Sequence, residues 1–252
     1  MHLAAAAAVA LTAAAASAAE KDTRLFELRV YTAAPGKLDA LNARFRDHTV
    51  KLFAKHGMTN LWYATPVPNP ENKLYYVLAH KDRAARDASF KAFVADPEWK
   101  KASSASEKDG KLVAKIEEVF MTATDYSPAV ETTQSPTPRT FELRTYTTSP
   151  GNLDALNARF RDHTVKLFAK HGMTNLWYWT LAEGSKGRDV TLVYLLAHPS
   201  KEARDKAFAA FRDDPDWNAA RTASEKKAGG SLTAKDGVKS ILLAPTDYSP
   251  LK

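Results

Sequence analysis

The first residues with a regular pattern alternate between apolar and polar side chains, as in a strand that buries one face. Over residues 25–31 the two faces are apolar on one side and polar or aromatic on the other: Phe26, Leu28 and Val30 against Glu27, Arg29 and Tyr31. From residue 38 the apolar side chains recur at steps of three and four, which predicts an amphipathic helix through about residue 56. Gly57 follows this stripe and predicts the end of the helix.

The same two kinds of pattern continue along the chain. Residues 58–65, 73–80 and 113–121 are rich in aromatic, aliphatic and β-branched side chains and predict three further strands. Asp82 is a suitable N-cap for a second helix that extends to about residue 94. The resulting order, β-α-β-β-α-β, is that of the split ferredoxin-like unit and predicts an α+β fold.

The chain contains this unit twice. Residues 38–63 and 153–178 are identical at an offset of 115 (153 − 38). A repeat of that length corresponds to a whole domain rather than to a solenoid module. We therefore predict two domains, residues 20–127 and 139–252, joined by a linker at 128–138 that contains three prolines.

Each predicted sheet has two helices on one face, so its other face needs a partner. We expect the polar and aromatic strand face to be the uncovered one in both halves: Glu27, Arg29 and Tyr31, with Glu142, Arg144 and Tyr146. Packing these two faces together would place them in a shared interior. The halves are thus predicted to pair within the chain as a pseudo-symmetric barrel.

The amino-acid composition excludes some kinds of chemistry for this chain. The 252 residues include no cysteine, which excludes disulfides and thiolate chemistry. The net charge of +7 comes from 36 basic and 29 acidic residues. These charges alternate along the amphipathic stretches and form no basic stripe, so nucleic acid is not an expected partner.

The chain begins with an Ala-rich apolar stretch, residues 1–19, that ends in Ser17-Ala18-Ala19. Small residues at this place predict a cleaved export signal and a periplasmic or secreted protein. No Lys or Arg precedes the apolar stretch, and an Ala-rich leader is the alternative interpretation. The remaining residues contain no apolar run long enough to span a bilayer.

Several short motifs recur in both halves in the same order. In the first half they are FELRVY at residues 26–31, Pro35-Gly36, His56-Gly57, the strand with Trp62, and Asp96-Pro97-Glu98-Trp99. In these motifs the chain resembles the NIPSNAP family of the dimeric α+β-barrel superfamily. The resemblance implies a barrel of two ferredoxin-like units. It implies no fixed reaction, because family members are linked to vesicle transport and mitochondrial quality control, while the superfamily includes haem-dependent enzymes and cofactor-free monooxygenases.

Two histidines of the repeated helix are candidate catalytic residues. His48 and its copy His163 fall at the edge of the apolar stripe, so we expect each ring to point partly inward. Such a histidine would handle a proton beside a bound ligand, or it is a core histidine bonded to a neighbouring strand. No HExxH motif or comparable carboxylate–histidine set accompanies them, so we predict no metal site.

A wider set of charged and aromatic residues is predicted to line a ligand pocket. The set consists of Arg29, Tyr31, His48, Trp62 and Tyr76, with the copies Arg144, Tyr146, His163, Trp177 and Tyr194. For the arginines the alternative is a buried ion network with Glu27 and Glu142 that crosses the barrel. For the aromatic residues the alternative is ordinary core packing.

Two functional hypotheses follow. The first is an exported NIPSNAP-domain protein that binds a small molecule or a protein partner and uses no cofactor. The second is a cofactor-independent monooxygenase- or isomerase-like enzyme in which His48 or His163 transfers a proton. Association of whole chains into a homo-oligomer is compatible with both.

Overall fold

The computed structural model describes residues 21–129, 135, 137 and 139–252. The predicted export signal, residues 1–19, and most of the predicted linker, residues 128–138, lie outside the described residues. Both therefore stay predictions.

The first half contains four strands and three helices. In chain order they are β1 (Leu25–Ala33), α1 (consecutive segments Leu38–Arg44, π-helical Phe45–Thr49 and Val50–Lys55), β2 (Thr59–Pro66), β3 (Lys73–His80), α2 (Arg83–Ala95), α3 (Pro97–Ser106) and β4 (Val113–Ala123). The predicted β-α-β-β-α-β order is confirmed. Asp82 caps α2 as predicted, because its carboxylate accepts a hydrogen bond of 2.7 Å from the backbone N–H of Ala85.

The second half repeats this order. Its elements are β5 (Thr140–Thr148), α4 (consecutive segments Leu153–Arg159, π-helical Phe160–Thr164 and Val165–Lys170), β6 (Thr174–Leu181), a 3₁₀ turn (Arg188–Val190), β7 (Thr191–His198), α5 (Lys201–Asp213), α6 (Pro215–Ala228) and β8 (Thr233–Pro245). The helices α3 and α6 were not predicted. Each begins at a proline that follows a capping aspartate, Asp96 or Asp214, whose carboxylate accepts a backbone N–H at 2.8 Å.

The strands form one closed antiparallel barrel in the order β1-β3-β2-β8-β5-β7-β6-β4. The halves join edge to edge, where Ala64 of β2 pairs with Pro245 of β8 and Met121 of β4 pairs with Leu181 of β6. Closure leaves no strand edge of the barrel unpaired. The predicted α+β barrel of two ferredoxin-like units is confirmed.

One prediction about the barrel is wrong, namely which strand face lies inside. The interior is apolar and contains Phe26 and Leu28 with the large rings of Trp62, Trp177 and Trp179. The opposite face of β1 points outward under the helices and carries Glu27, Arg29 and Tyr31. Its copy on β5, with Glu142, Arg144 and Tyr146, has the same orientation. The physical reason is charge compensation, because helices α2 and α5 supply arginines that the apolar interior does not. The ion network therefore does not cross the barrel.

The end of each half packs on the other half. Asp125 and Tyr126, just after β4, contact α4: Arg161 donates two hydrogen bonds to Asp125, of 2.7 and 2.8 Å, and Tyr126 donates one of 2.8 Å to Asn157. After β8 the copies make the same contacts with α1, at 2.6 and 2.8 Å for Arg46 with Asp247 and 2.7 Å for Tyr248 with Asn42. We call these two segments the reciprocal clasps.

Candidate functional site

A partly open cavity lies in each half between the outer face of the sheet and the helices. The first pocket has a volume of about 190 Å³, and its lining includes Tyr31, Arg44, Phe45, Phe53, Phe93 and Trp99. The second pocket has a volume of about 220 Å³, and its lining includes Arg144, Tyr146, Phe160, Phe168, Phe211 and Trp217. Because the same elements contribute in both halves, the two pockets are related by the internal repeat.

A tyrosine on the first strand of each half forms the polar part of the pocket floor. The Tyr31 ring contacts those of Phe45 and Tyr76 edge-on, with centroids 5.8 and 5.3 Å apart. Its hydroxyl accepts a hydrogen bond of 3.4 Å from the guanidinium of Arg29, which lies on the same face two residues earlier. The hydroxyl is thereby held beside a cavity whose lining is mainly aromatic and aliphatic and also includes Arg44, Ser103 and Glu107.

The second half holds its tyrosines more firmly. Arg144 donates to the hydroxyl of Tyr146 at 3.0 Å and, through Nε, to that of Tyr194 at 2.8 Å. Within the described part of the first half, Nε of Arg29 and the hydroxyl of Tyr76 have no hydrogen-bond partner. The two pockets are thus similar in lining and different in their polar contacts.

Behind each tyrosine lies a fully buried glutamate. Oxygens of Glu27 accept hydrogen bonds from Arg29 at 2.5 Å and from Arg86 of α2 at 2.7 Å, and Nε2 of His80 lies 3.0 Å away. Glu142 is bound in the same way, by Arg144 at 2.5 Å, Arg204 at 2.6 Å and His198 at 3.2 Å. Each carboxylate joins the sheet to the helix above it and orients the arginine that holds the tyrosine.

The buried acids are held in their charged form. Burial alone would raise the pKa of Glu27, but hydrogen bonds from His80, Arg86 and Arg29 outweigh it and lower this pKa to about 2. The corresponding contacts hold the pKa of Glu142 well below its ordinary range, again against the effect of burial. Burial opposes the charge of Arg29 too, yet Tyr76, Tyr31 and Glu27 raise its pKa.

The depressed pKa of Glu27 predicts acid sensitivity. A carboxyl whose folded pKa is lower than its unfolded value of 4.5 stabilises the protein above that value, and the contribution is lost as pH falls toward about 2. E27Q lacks this contribution and is expected to be roughly 3 kcal/mol less stable than wild type at pH 7. Urea denaturation of both proteins from pH 7 to 2 should show this difference shrinking below about pH 4.5; a difference independent of pH would contradict the assignment.

The predicted orientation of His48 and His163 is wrong, because both side chains are exposed. The segments Phe45–Thr49 and Phe160–Thr164 are π-helical, and the wider turn rotates the following residues relative to an α-helical stripe. Thr49 points inward instead, and its hydroxyl donates to the carbonyl oxygen of Arg44 at 3.1 Å. His163 lines a groove on the outer side, between α4 and α6, and neither histidine lines a pocket defined above.

The structure divides the predicted ligand set into three places. Tyr31, Arg144 and Tyr146 line the pockets, while Arg29, Tyr76 and Tyr194 lie beside them as partners of those tyrosines. Trp62 and Trp177 lie inside the barrel, and His48 and His163 on the helix surface. A ligand-binding role for any of these residues stays a prediction.

Several pocket residues escaped the sequence reasoning. Phe45, Phe53 and Phe93 lie within the predicted helices, and Trp99 belongs to a recurring motif, but neither feature indicates that the four side chains line one cavity. His80 contacts Glu27 because β1 and β3 pair in a register that places Leu25 opposite His80. The pocket is lined by residues of the three helices α1, α2 and α3. The periodicity of any one helix does not show which of its residues meet those of the other two.

The described residues form neither a metal-binding cluster nor a membrane-spanning helix. They contain no group of three or more His, Cys, Asp or Glu side chains arranged to hold a metal ion. No helix among them is both long and apolar enough to cross a membrane.

The sequence model of the NIPSNAP family matches residues 26–128 and 141–250. No curated protein sequence matches the chain. Among solved structures, a monooxygenase-like protein from Lactobacillus acidophilus NCFM is 11% identical, with a TM-score of 0.55 over 89% of this chain and 94% of the other. One from Fusobacterium nucleatum is 12% identical, with a TM-score of 0.56 over 88% and 92%. An anthrone oxidase-like protein is 14% identical, with a TM-score of 0.54 over 89% and 92%.

At these identities the structural likeness shows a shared fold only. The family match goes further, because it covers each half almost from end to end, including both pockets and both reciprocal clasps. The chain therefore belongs to the NIPSNAP family.

Proposed function

We propose that this protein binds a small, flat, apolar molecule in each of the two pockets described above. The observation that carries the proposal is the recurrence of an aromatic cavity, partly open to solvent, around a fixed tyrosine hydroxyl in both halves. Ligand pockets typically combine an apolar lining with a few placed polar groups. A closed apolar cavity of about 150 Å³ holds benzene, so volumes of about 190 and 220 Å³ suit a molecule of one or two fused rings.

The structural neighbours are in keeping with this ligand class. The name of one refers to anthrone, a flat aromatic molecule, and two others are monooxygenase-like. Because the shared property is the fold, this supports a pocket for such molecules and assigns no reaction to this chain. The proposal includes export of the protein, which rests on residues 1–19 of the sequence alone.

Binding is favoured over the enzymatic hypothesis by the position of the histidines. A general acid or base must lie within hydrogen-bond reach of the reacting atom. His48 and His163 point to solvent and line neither pocket. The alternative of a monooxygenase- or isomerase-like enzyme would therefore need a proton-handling group other than these two.

Binding can be tested with 2-naphthamide, a neutral two-ring probe, by ¹H–¹⁵N NMR. The indole signals of Trp99 and Trp217, identified with W99F and W217F, report on the first and second pocket separately. We expect saturable shifts of both signals. S103F, which places a ring in the first pocket, should abolish the Trp99 shift and leave the Trp217 shift in place.

The matched control is S104F, because Ser104 is exposed and does not line the pocket. This variant should bind the probe as wild type does. If neither indole signal moves at any probe concentration, or if S103F and S104F behave alike, the proposed function is wrong.

A further inference from the structure

The two pockets differ in charge even though the helices α1 and α4, which line the first and the second pocket, have identical sequences. Three positions around the pocket carry a more positive residue in the second half. Val94 on α2 corresponds to Arg212 on α5, Ser103 on α3 to Arg221 on α6, and Glu118 on β4 to Ser240 on β8. Each of the three replacements changes the local charge in the same direction.

The two added arginines lie at the mouth of the second pocket. Arg212 and Arg221 line this cavity and are exposed. Among the described residues neither guanidinium forms an ion pair with a carboxylate. These arginines are available to a ligand.

The third replacement removes a negative charge from behind the pocket. In the first half Glu118 accepts hydrogen bonds from Arg29 at 2.8 Å and from Arg86 at 3.0 Å. In the second half Ser240 occupies this place and donates a hydrogen bond of 2.5 Å to Glu142. Arg86 and Arg204 each also pair with the next acid along the helix, Asp87 at 3.2 Å and Asp205 at 3.0 Å. The arginines of the first half therefore pair with three carboxylates and those of the second half with two, so the second half lacks one negative charge.

The first pocket is balanced in charge. Its lining includes Arg44 and Glu107, whose charged groups pair at 3.0 Å. The lining of the second pocket includes three arginines, Arg144, Arg212 and Arg221, and no carboxylate. Of these three arginines only Arg144 pairs with a carboxylate, that of Glu142.

The difference is not a general gain of basic residues on these helices. Lys91, Lys100 and Lys101 of the first half are replaced by Ala209, Asn218 and Ala219 in the second. None of the three lysines lines the first pocket, and none of their replacements lines the second. Outside the pocket α5 gains one basic residue, Lys206 in the place of Ala88, so these helices lose more basic residues away from the pocket than they gain there.

We propose that the second pocket binds flat apolar molecules that carry a single carboxylate, and that the first pocket binds neutral ones. The aromatic lining takes the ring system, while Arg212 and Arg221 hold the carboxylate at the mouth. Guanidinium groups suit this task, because their paired N–H groups match the two carboxylate oxygens. The inference rests on the proposed function and adds the charge of the ligand.

The test compares 2-naphthoate with 2-naphthamide, which has the same rings without the charge, by the indole signals of Trp99 and Trp217. We expect naphthoate to bind the second pocket at least about tenfold more tightly than the first, and this preference to weaken as salt is raised. Naphthamide should show no such preference.

Exchange of the pocket-mouth residues between the halves completes the experiment. R212V/R221S gives the second half the residues that the first half has at these two positions, and V94R/S103R does the reverse. The first variant should lower the ratio of naphthoate to naphthamide affinity at Trp217 about tenfold, and the second should raise it at Trp99. K91A/K101A, which removes two charges from the same helices outside the pocket, should leave both ratios unchanged.

The outcomes separate the two proposals. If neither probe moves either indole signal, the proposed function fails and the charge preference fails with it. If naphthamide binds both pockets but naphthoate shows equal affinity for them, or if R212V/R221S leaves the ratio unchanged, only the charge preference is overturned.

Discussion

Replacement of Glu142 by glutamine is expected to lower the free energy of unfolding by about 3–5 kcal/mol, because it leaves buried cations without their counter-charge. The Glu142 side chain is fully buried and accepts hydrogen bonds from Arg144, Arg204 and Ser240. In the variant, Arg144 remains in the protein interior with no carboxylate partner among the described residues. Urea denaturation at pH 7 measures the loss.

The matched variant is E118Q in the first half. Glu118 also pairs with two arginines, at 2.8 and 3.0 Å, but its side chain is 42% exposed. Exposed ion pairs contribute about 0–1 kcal/mol, so E118Q should be close to wild type in stability. Equal losses for E142Q and E118Q would show that burial of the carboxylate is not what makes the cluster stabilising.

Truncation of Trp179 to alanine is expected to cost about 3–5 kcal/mol, since it opens a cavity inside a closed barrel. The ring is fully buried, and its centroid lies 5.6 Å from that of Trp177 and 5.7 Å from that of Phe26 in the other half. The barrel cannot readily collapse around the space, because its strands are fixed on both sides by backbone hydrogen bonds. Thermal and urea unfolding both report the effect.

Two further variants show whether ring volume is responsible. W179F retains a ring and should lose clearly less stability than W179A. V94A shortens a side chain that is 57% exposed on α2 and should change stability by less than about 0.5 kcal/mol. A loss of under 1 kcal/mol for W179A would mean that neighbouring side chains fill the space.

A periodic sequence pattern predicts some features of this fold and leaves others open. The alternation at residues 25–31 shows which side chains share a face, and the identity of residues 38–63 with 153–178 shows that the unit occurs twice. The pattern does not say which face meets the helices when both faces are buried, as they are here. The pattern therefore favours the interior for Glu27, although its partner Arg86 lies outside the barrel on α2.

The pockets were less predictable, for two reasons. The π-helical segment Phe45–Thr49 has no hydrophobic signature of its own, so an α-helical wheel places His48 at the buried edge, whereas its side chain is exposed. The remaining lining is assembled from distant parts of the chain, such as Phe93 and Trp99, whose contact depends on the turn between two helices. Tyr31 and Tyr146 were found because strand spacing and the repeat both indicate them.

The reciprocal clasps and the closed barrel hold two copies of one unit on a single polypeptide. In a dimer of identical chains every substitution appears at both sites, so neither site changes without the other. Here each pocket is encoded by its own part of one gene. A substitution therefore affects one pocket only, as shown by Ser103 in the first half and Arg221 at the equivalent position of the second. Mutation and selection can thus act on one pocket while the other stays unchanged.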